Sequence, residues 1–89
     1  MGLEVNAKRE LSSGIVVDSF YASSGSETKV TKINDKYRLD CFFYLYISKE
    51  ARDAGKSPID TIYFVVEDYD PSLHVFNVAY DELKKKFDV

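Results

Sequence analysis

Cys41 and His74 are the one cysteine and the one histidine in the chain. A thiol beside an imidazole is the pairing that makes a nucleophile with its base. The stretch "YRLDCFFYLYI" argues against it, because Cys41 alternates onto the same side of a strand as Leu39 and Phe43. A thiol there sits in apolar surroundings, where its pKa rises and it is inert. Zinc asks for four Cys or His ligands, more than this pair supplies. "EDYDPS" gathers Glu67, Asp68 and Asp70, oxygen ligands suited to a hard cation. A calcium loop counted from Asp68 needs glycine at its sixth position, and Leu73 stands there. Asp40 on one strand and Glu67 at the end of another could hold a metal in a degenerate nuclease-like domain. The lysine such a site wants two residues after Glu67 is replaced by Tyr69. The glycines at 2, 14, 25 and 55 are too scattered to cradle a phosphate. No catalytic, metal or cofactor site is expected, and the chain reads as a non-enzyme.

Charge narrows the partners. The net charge is −3, and no Lys or Arg lies between Ser57 and Leu83, where Asp60, Glu67, Asp68, Asp70, Asp81 and Glu82 fall. A binder of phosphate backbones needs the opposite surface, so nucleic acid is disfavoured. Lys84, Lys85 and Lys86 sit where a helix dipole favours positive charge, with acids on both sides. No apolar run approaches the roughly 18–20 residues that cross a bilayer, and no membrane association is expected. "MGLEVNAKRE" is too charged for a signal peptide. One cysteine in 89 residues allows no internal disulfide and fits a reducing, cytoplasmic setting.

The elements that would position these groups are mostly strands. "LEVNAKR" alternates as an edge strand, and "GIVVDSFYA" is β-branched and aromatic. "TKVTKINDKYRLDCFFYLYI" reads as a hairpin closed by Asn34-Asp35, residues that tolerate a left-handed backbone. A two-residue loop sets Ile33 against Lys36, Val30 against Leu39 and Lys29 against Asp40. Directly opposed residues share a face, so Val30, Leu39, Cys41, Phe43, Leu45 and Ile47 form the core side. Ser48 caps a short helix near 48–55 that Gly55 ends. "DTIYFVVED" is a strand, "DYDPSL" a turn, "HVFNVAY" a further strand, and a C-terminal helix covers 79–87. Tyr80, Leu83 and Phe87 share one side of that helix. The fold class is therefore α+β, a single compact domain over 1–89 with a mainly antiparallel sheet of five or six strands.

One strand poses the functional question. Opposite its core side stand Phe42, Tyr44 and Tyr46, with Tyr63 beside them. Three such rings left bare would expose on the order of 500 Å², near the largest apolar patch a monomer tolerates. Three coverings are open. The C-terminal helix could lie across them, another protein or a second copy could dock on them, or bases of a single-stranded nucleic acid could stack there. A small acidic chain rich in Tyr and Phe, with no catalytic constellation, suits a steric protein-interaction module with a basic partner. Inhibitors of host defence enzymes from phages and mobile elements, including anti-CRISPR proteins and DNA mimics, have this look, though no motif here marks membership. The interface expected is Phe42, Tyr44, Tyr46 and Tyr63, with Glu67, Asp68 and Asp70 steering the approach. A nuclease-like domain and a single-stranded nucleic-acid-binding sheet protein stand as alternatives.

Overall fold

In the computed structural model, which describes residues 2–25 and 27–87, nine elements follow the chain. They are β1 (Leu3–Val5), β2 (Arg9–Glu10), β3 (Val16–Val17), β4 (Phe20–Ser24), β5 (Lys29–Ile33), β6 (Lys36–Tyr46), α1 (Lys49–Asp53), β7 (Asp60–Val66) and α2 (Val75–Phe87). All pairings are antiparallel, in one five-stranded sheet and a separate two-stranded β2–β3 ribbon. The class is α+β, as the order of strands and helices implies.

The β5–β6 hairpin has the register that opposition of its residues requires, from Ile33 opposite Lys36 to Lys29 opposite Asp40. Asn34 and Asp35 take φ of 48° and 67°, the left-handed pair of a two-residue turn whose twist matches its strands. β6 organises the rest. β7 runs along Leu39–Leu45 and so overlaps both the part of β6 paired with β4 and the part paired with β5. A strand has two edges, so β4 and β5 share the other one, end to end.

Between them the chain bulges. Ser24 lies opposite Phe43 and Lys29 opposite Asp40, so five steps on one strand pass three on the other. The excess is two residues, and an even excess keeps side-chain alternation in phase. Thr28 closes the gap. Its hydroxyl accepts from the Phe42 N–H at 3.0 Å and donates to the Phe42 carbonyl at 3.1 Å. Ser24 Oγ donates to it in turn, at 3.1 Å. One donor and two acceptor positions are the full capacity of a hydroxyl.

Leu39, Cys41, Phe43 and Leu45 are fully buried under α2, with Val5, Phe20, Ala22 and Leu83. The Tyr80 ring meets Phe43 edge-on at 5.1 Å, and Phe87 meets Phe20 at 5.3 Å. Two expected core members fall outside. Val30 is 37% exposed because β5 runs beside β6 alone at that end of the sheet. Ile47 is 62% exposed because it follows the last paired residue of β6.

Three element boundaries also differ from expectation. "HVFNVAY" is helix, not strand: α2 starts at Val75, and Val78, Ala79, Leu83 and Phe87 give it a continuous apolar side against the core. "GIVVDSFYA" is split at Asp18-Ser19 into β3 and β4, and "LEVNAKR" yields β1 and the start of β2. The short helix is Lys49–Asp53, with Ser48 Oγ accepting from the Ala51 N–H at 3.1 Å and Gly55 at φ 74° beyond its end.

Candidate functional site: the ring-bearing face of the sheet

α2 occupies the face of Phe43, so it does not cover Phe42, Tyr44 or Tyr46. On the opposite face Tyr21 pairs with Tyr46, Ser23 with Tyr44, and Tyr63 with Phe42. Direct cross-strand pairing puts these side chains within contact distance of one another. Phe42 and Tyr44 meet edge-on at 5.3 Å. Phe42, Tyr44 and Tyr46 are half-buried, Tyr21 is buried, and Tyr63 is 58% exposed.

Each of two phenols is moored to an acid. Tyr44 Oη donates to Glu27 at 2.8 Å, a residue carried by the β4–β5 bulge. Tyr63 Oη donates to Asp40 at 2.7 Å. These bonds hold both phenolic pKa values above the ordinary tyrosine range, because losing the proton would set two anions side by side. Gly25 matters here for space: a Cβ on it would come within 2.7 Å of the Tyr44 ring.

Asp40 is the residue the sequence undervalues. Only 4% exposed, it is one of two buried polar or charged side chains among the described residues. Besides Tyr63, it accepts from Thr31 Oγ1 at 3.4 Å and lies 3.4 Å from Arg38 Nε. The Tyr63 hydrogen bond and then the Arg38 charge hold its carboxyl below the usual range, against the opposing effect of burial. Lys29, its register partner, adds to this more weakly. Glu27, Lys29, Arg38, Asp40, Phe42 and Tyr63 line an open concavity of about 350 Å³.

The expected acidic group does not stay together. Glu67 and Asp68 follow β7 and line a second concavity with Lys36 and Arg38, where Lys36 Nζ lies 3.6 Å from Asp68. Asp70 is turned into its own loop, accepting from the Ser72 N–H and hydroxyl at 2.9 and 2.7 Å. Asp60, at the far end of β7, accepts from the Ser12 hydroxyl at 2.8 Å and faces Arg9 at 3.8 Å, tying the β2–β3 ribbon to the sheet. The Ser12 hydrogen bond is the main reason its pKa is lowered. Asp40 and Glu67 do not come together with a third ligand: among the described residues no three His, Cys, Asp or Glu are grouped to hold a metal. Cys41 is buried beneath α2, with its pKa pushed up to about 12, mainly by burial; His74 is exposed just before that helix. Among the described residues no helix is long and apolar enough to cross a membrane. No protein-family model, curated protein or solved structure matches the chain.

Proposed function

We propose that this chain is a small, non-enzymatic protein-interaction module that acts by steric binding through the ring-bearing face of its sheet. The observation that carries this reading is the mooring of Tyr44 and Tyr63 to Glu27 and Asp40 on a face that α2 leaves open. Rings fixed on a sheet lose little side-chain entropy when a partner arrives, and tyrosine gives contact area while its hydroxyl stays compatible with water. Glu27 and Glu67 stand at the edges of the face among Lys29, Lys36 and Arg38, and it is the net charge of −3 that favours a partner with a basic surface. Within that class we propose an inhibitor of a host defence enzyme, of the kind that phages and mobile elements use. The acidic balance supports that finer step.

The test starts with capture from host lysate and mass spectrometry, followed by calorimetry on the partner found. Tyr44→Ala with Tyr46→Ala should abolish binding while lowering the melting midpoint much less than Leu83→Ala does. A midpoint loss as large as that of Leu83→Ala would make the rings core and overturn the reading. Two assays on the same protein separate the competing classes. Magnesium-dependent DNA cleavage lost in both Asp40→Ala and Glu67→Ala would assign a nuclease. Retention on single-stranded DNA that falls steeply with salt would assign a nucleic-acid binder.

A further inference from the structure

Among the described residues β7 is an outer strand, paired with β6 alone. A free strand edge offers a row of unmet backbone donors and acceptors to any chain that can lie beside it, and proteins usually blunt such edges with lysine, proline or a bulge. The other side of the sheet follows that practice, since β5 carries Lys29 and Lys32. β7 does not. From Thr61 to Val66 it has no charged residue, no proline and no glycine, and all seven of its residues from Asp60 to Val66 pair with β6 in unbroken register. Tyr63, at its midpoint, is more than half exposed.

We infer that β7 is the dimerisation edge of this protein, pairing antiparallel with β7 of a second copy about a two-fold axis through Tyr63. Charge and register select this occupant. With the axis normal to the sheet, directly opposed residues must lie on the same face, so the register can move only in steps of two. Centred on Tyr63, all seven positions are opposed: Tyr63 faces its own mate, Thr61 faces Val65, and Asp60 faces Val66, with the Thr61 N–H exchanging Asp60 Oδ1 for the facing strand. Glu67 then falls opposite Ile59, so no acid meets an acid. Centring the axis on Phe64 sets Asp60 against Asp68 and shortens the ladder, and centring it on Ile62 leaves Val65 and Val66 opposite Ile59 and Pro58, outside the strand. A two-fold contact between identical strands also closes, so it ends at a dimer instead of growing into a fibre. The ring-bearing face would then run unbroken across the axis, with the two Tyr63 side chains adjacent. The inference does not rest on the proposed function, because it concerns the edge of the sheet and not its face.

Sedimentation velocity across a concentration series into the high micromolar range tests it. The wild-type protein should move from 10.2 kDa to twice that mass. Thr61→Lys with Val65→Lys sets lysine opposite lysine at two places and should leave only monomer, folded by circular dichroism. Thr61→Glu with Val65→Lys sets Glu opposite Lys at the same two places and should restore the dimer. A wild-type protein that stays monomeric throughout overturns the proposal, as does a dimer that survives the double lysine change. Failure of the Glu/Lys variant to dimerise while folded overturns this register. Tyr44→Ala with Tyr46→Ala should leave the dimer intact; its loss there would place the contact on the ring-bearing face instead.

Discussion

At the scale of single residues, Asp40 shows how a charge becomes affordable inside a sheet. A bare carboxylate at 4% exposure would be costly, so its oxygens are met by Tyr63, Thr31 and Arg38. Those partners favour the ionised form and put its folded pKa below the unfolded value of about 3.9. The sign of the linkage follows. The stabilisation is complete above the unfolded pKa and is lost as pH falls through the folded one. Asp60 acts in the same direction through Ser12. Urea unfolding at a series of pH values should therefore show Asp40→Asn less stable than wild type at neutral pH, the gap closing below about pH 4. A gap of constant size down to strongly acid pH would mean that the carboxylate gains nothing from its native partners. The sequence showed Lys29 opposite Asp40 but not Tyr63 or Arg38, because those contacts depend on β7 lying beside β6 and on side-chain reach.

At the scale of elements, what was legible is what is local. The β5–β6 hairpin could be set in register from Asn34-Asp35 and the opposed residues, since a turn and two adjacent strands carry all the information needed. "HVFNVAY" reads as a strand because Val75, Phe76 and Val78 favour strands and the run is too short for periodicity to reject one. The recurrence of Val75, Ala79, Leu83 and Phe87 at steps of four was the signal for a helix that starts earlier. The small polar residues from Ser23 to Ser26 read as a simple loop and give no sign of the bulge between β4 and β5; Ser26 lies outside the described residues. Nothing in composition reveals that Thr28 takes a place in the ladder of β6. Thr28→Val removes the hydroxyl at equal size and leaves the Phe42 N–H unmet, at a cost of about 1–3 kcal/mol. Thr28→Ser keeps the hydroxyl and should retain most of that stability in equilibrium denaturation. A larger loss for Thr28→Ser than for Thr28→Val would show that the methyl group, not the hydrogen bonds, secures the bulge.

At the scale of the whole molecule, the core lies on one side of the sheet only, and Cys41 reports on its opening. Its thiol is fully buried between β6 and α2 and is kept protonated by burial, reinforced by the Asp40 and Glu82 charges. A thiol reagent therefore has no route to it short of detaching α2 or unfolding the domain. A chain of this size built round one core generally opens it in one cooperative step, so the two routes should coincide. Leu83 anchors α2 at 0% exposure, and truncating a buried leucine costs about 2–5 kcal/mol. Where reclosing outpaces labelling, the rate follows the open population, so Leu83→Ala should speed Cys41 modification by roughly 30- to 5,000-fold. Tyr44→Ala with Tyr46→Ala, on the opposite face, should speed it far less. The denaturant dependence of the labelling rate should match that of global unfolding. A markedly shallower dependence would mean that α2 lifts away alone while the sheet persists, and the one-sided core would then be two separable units.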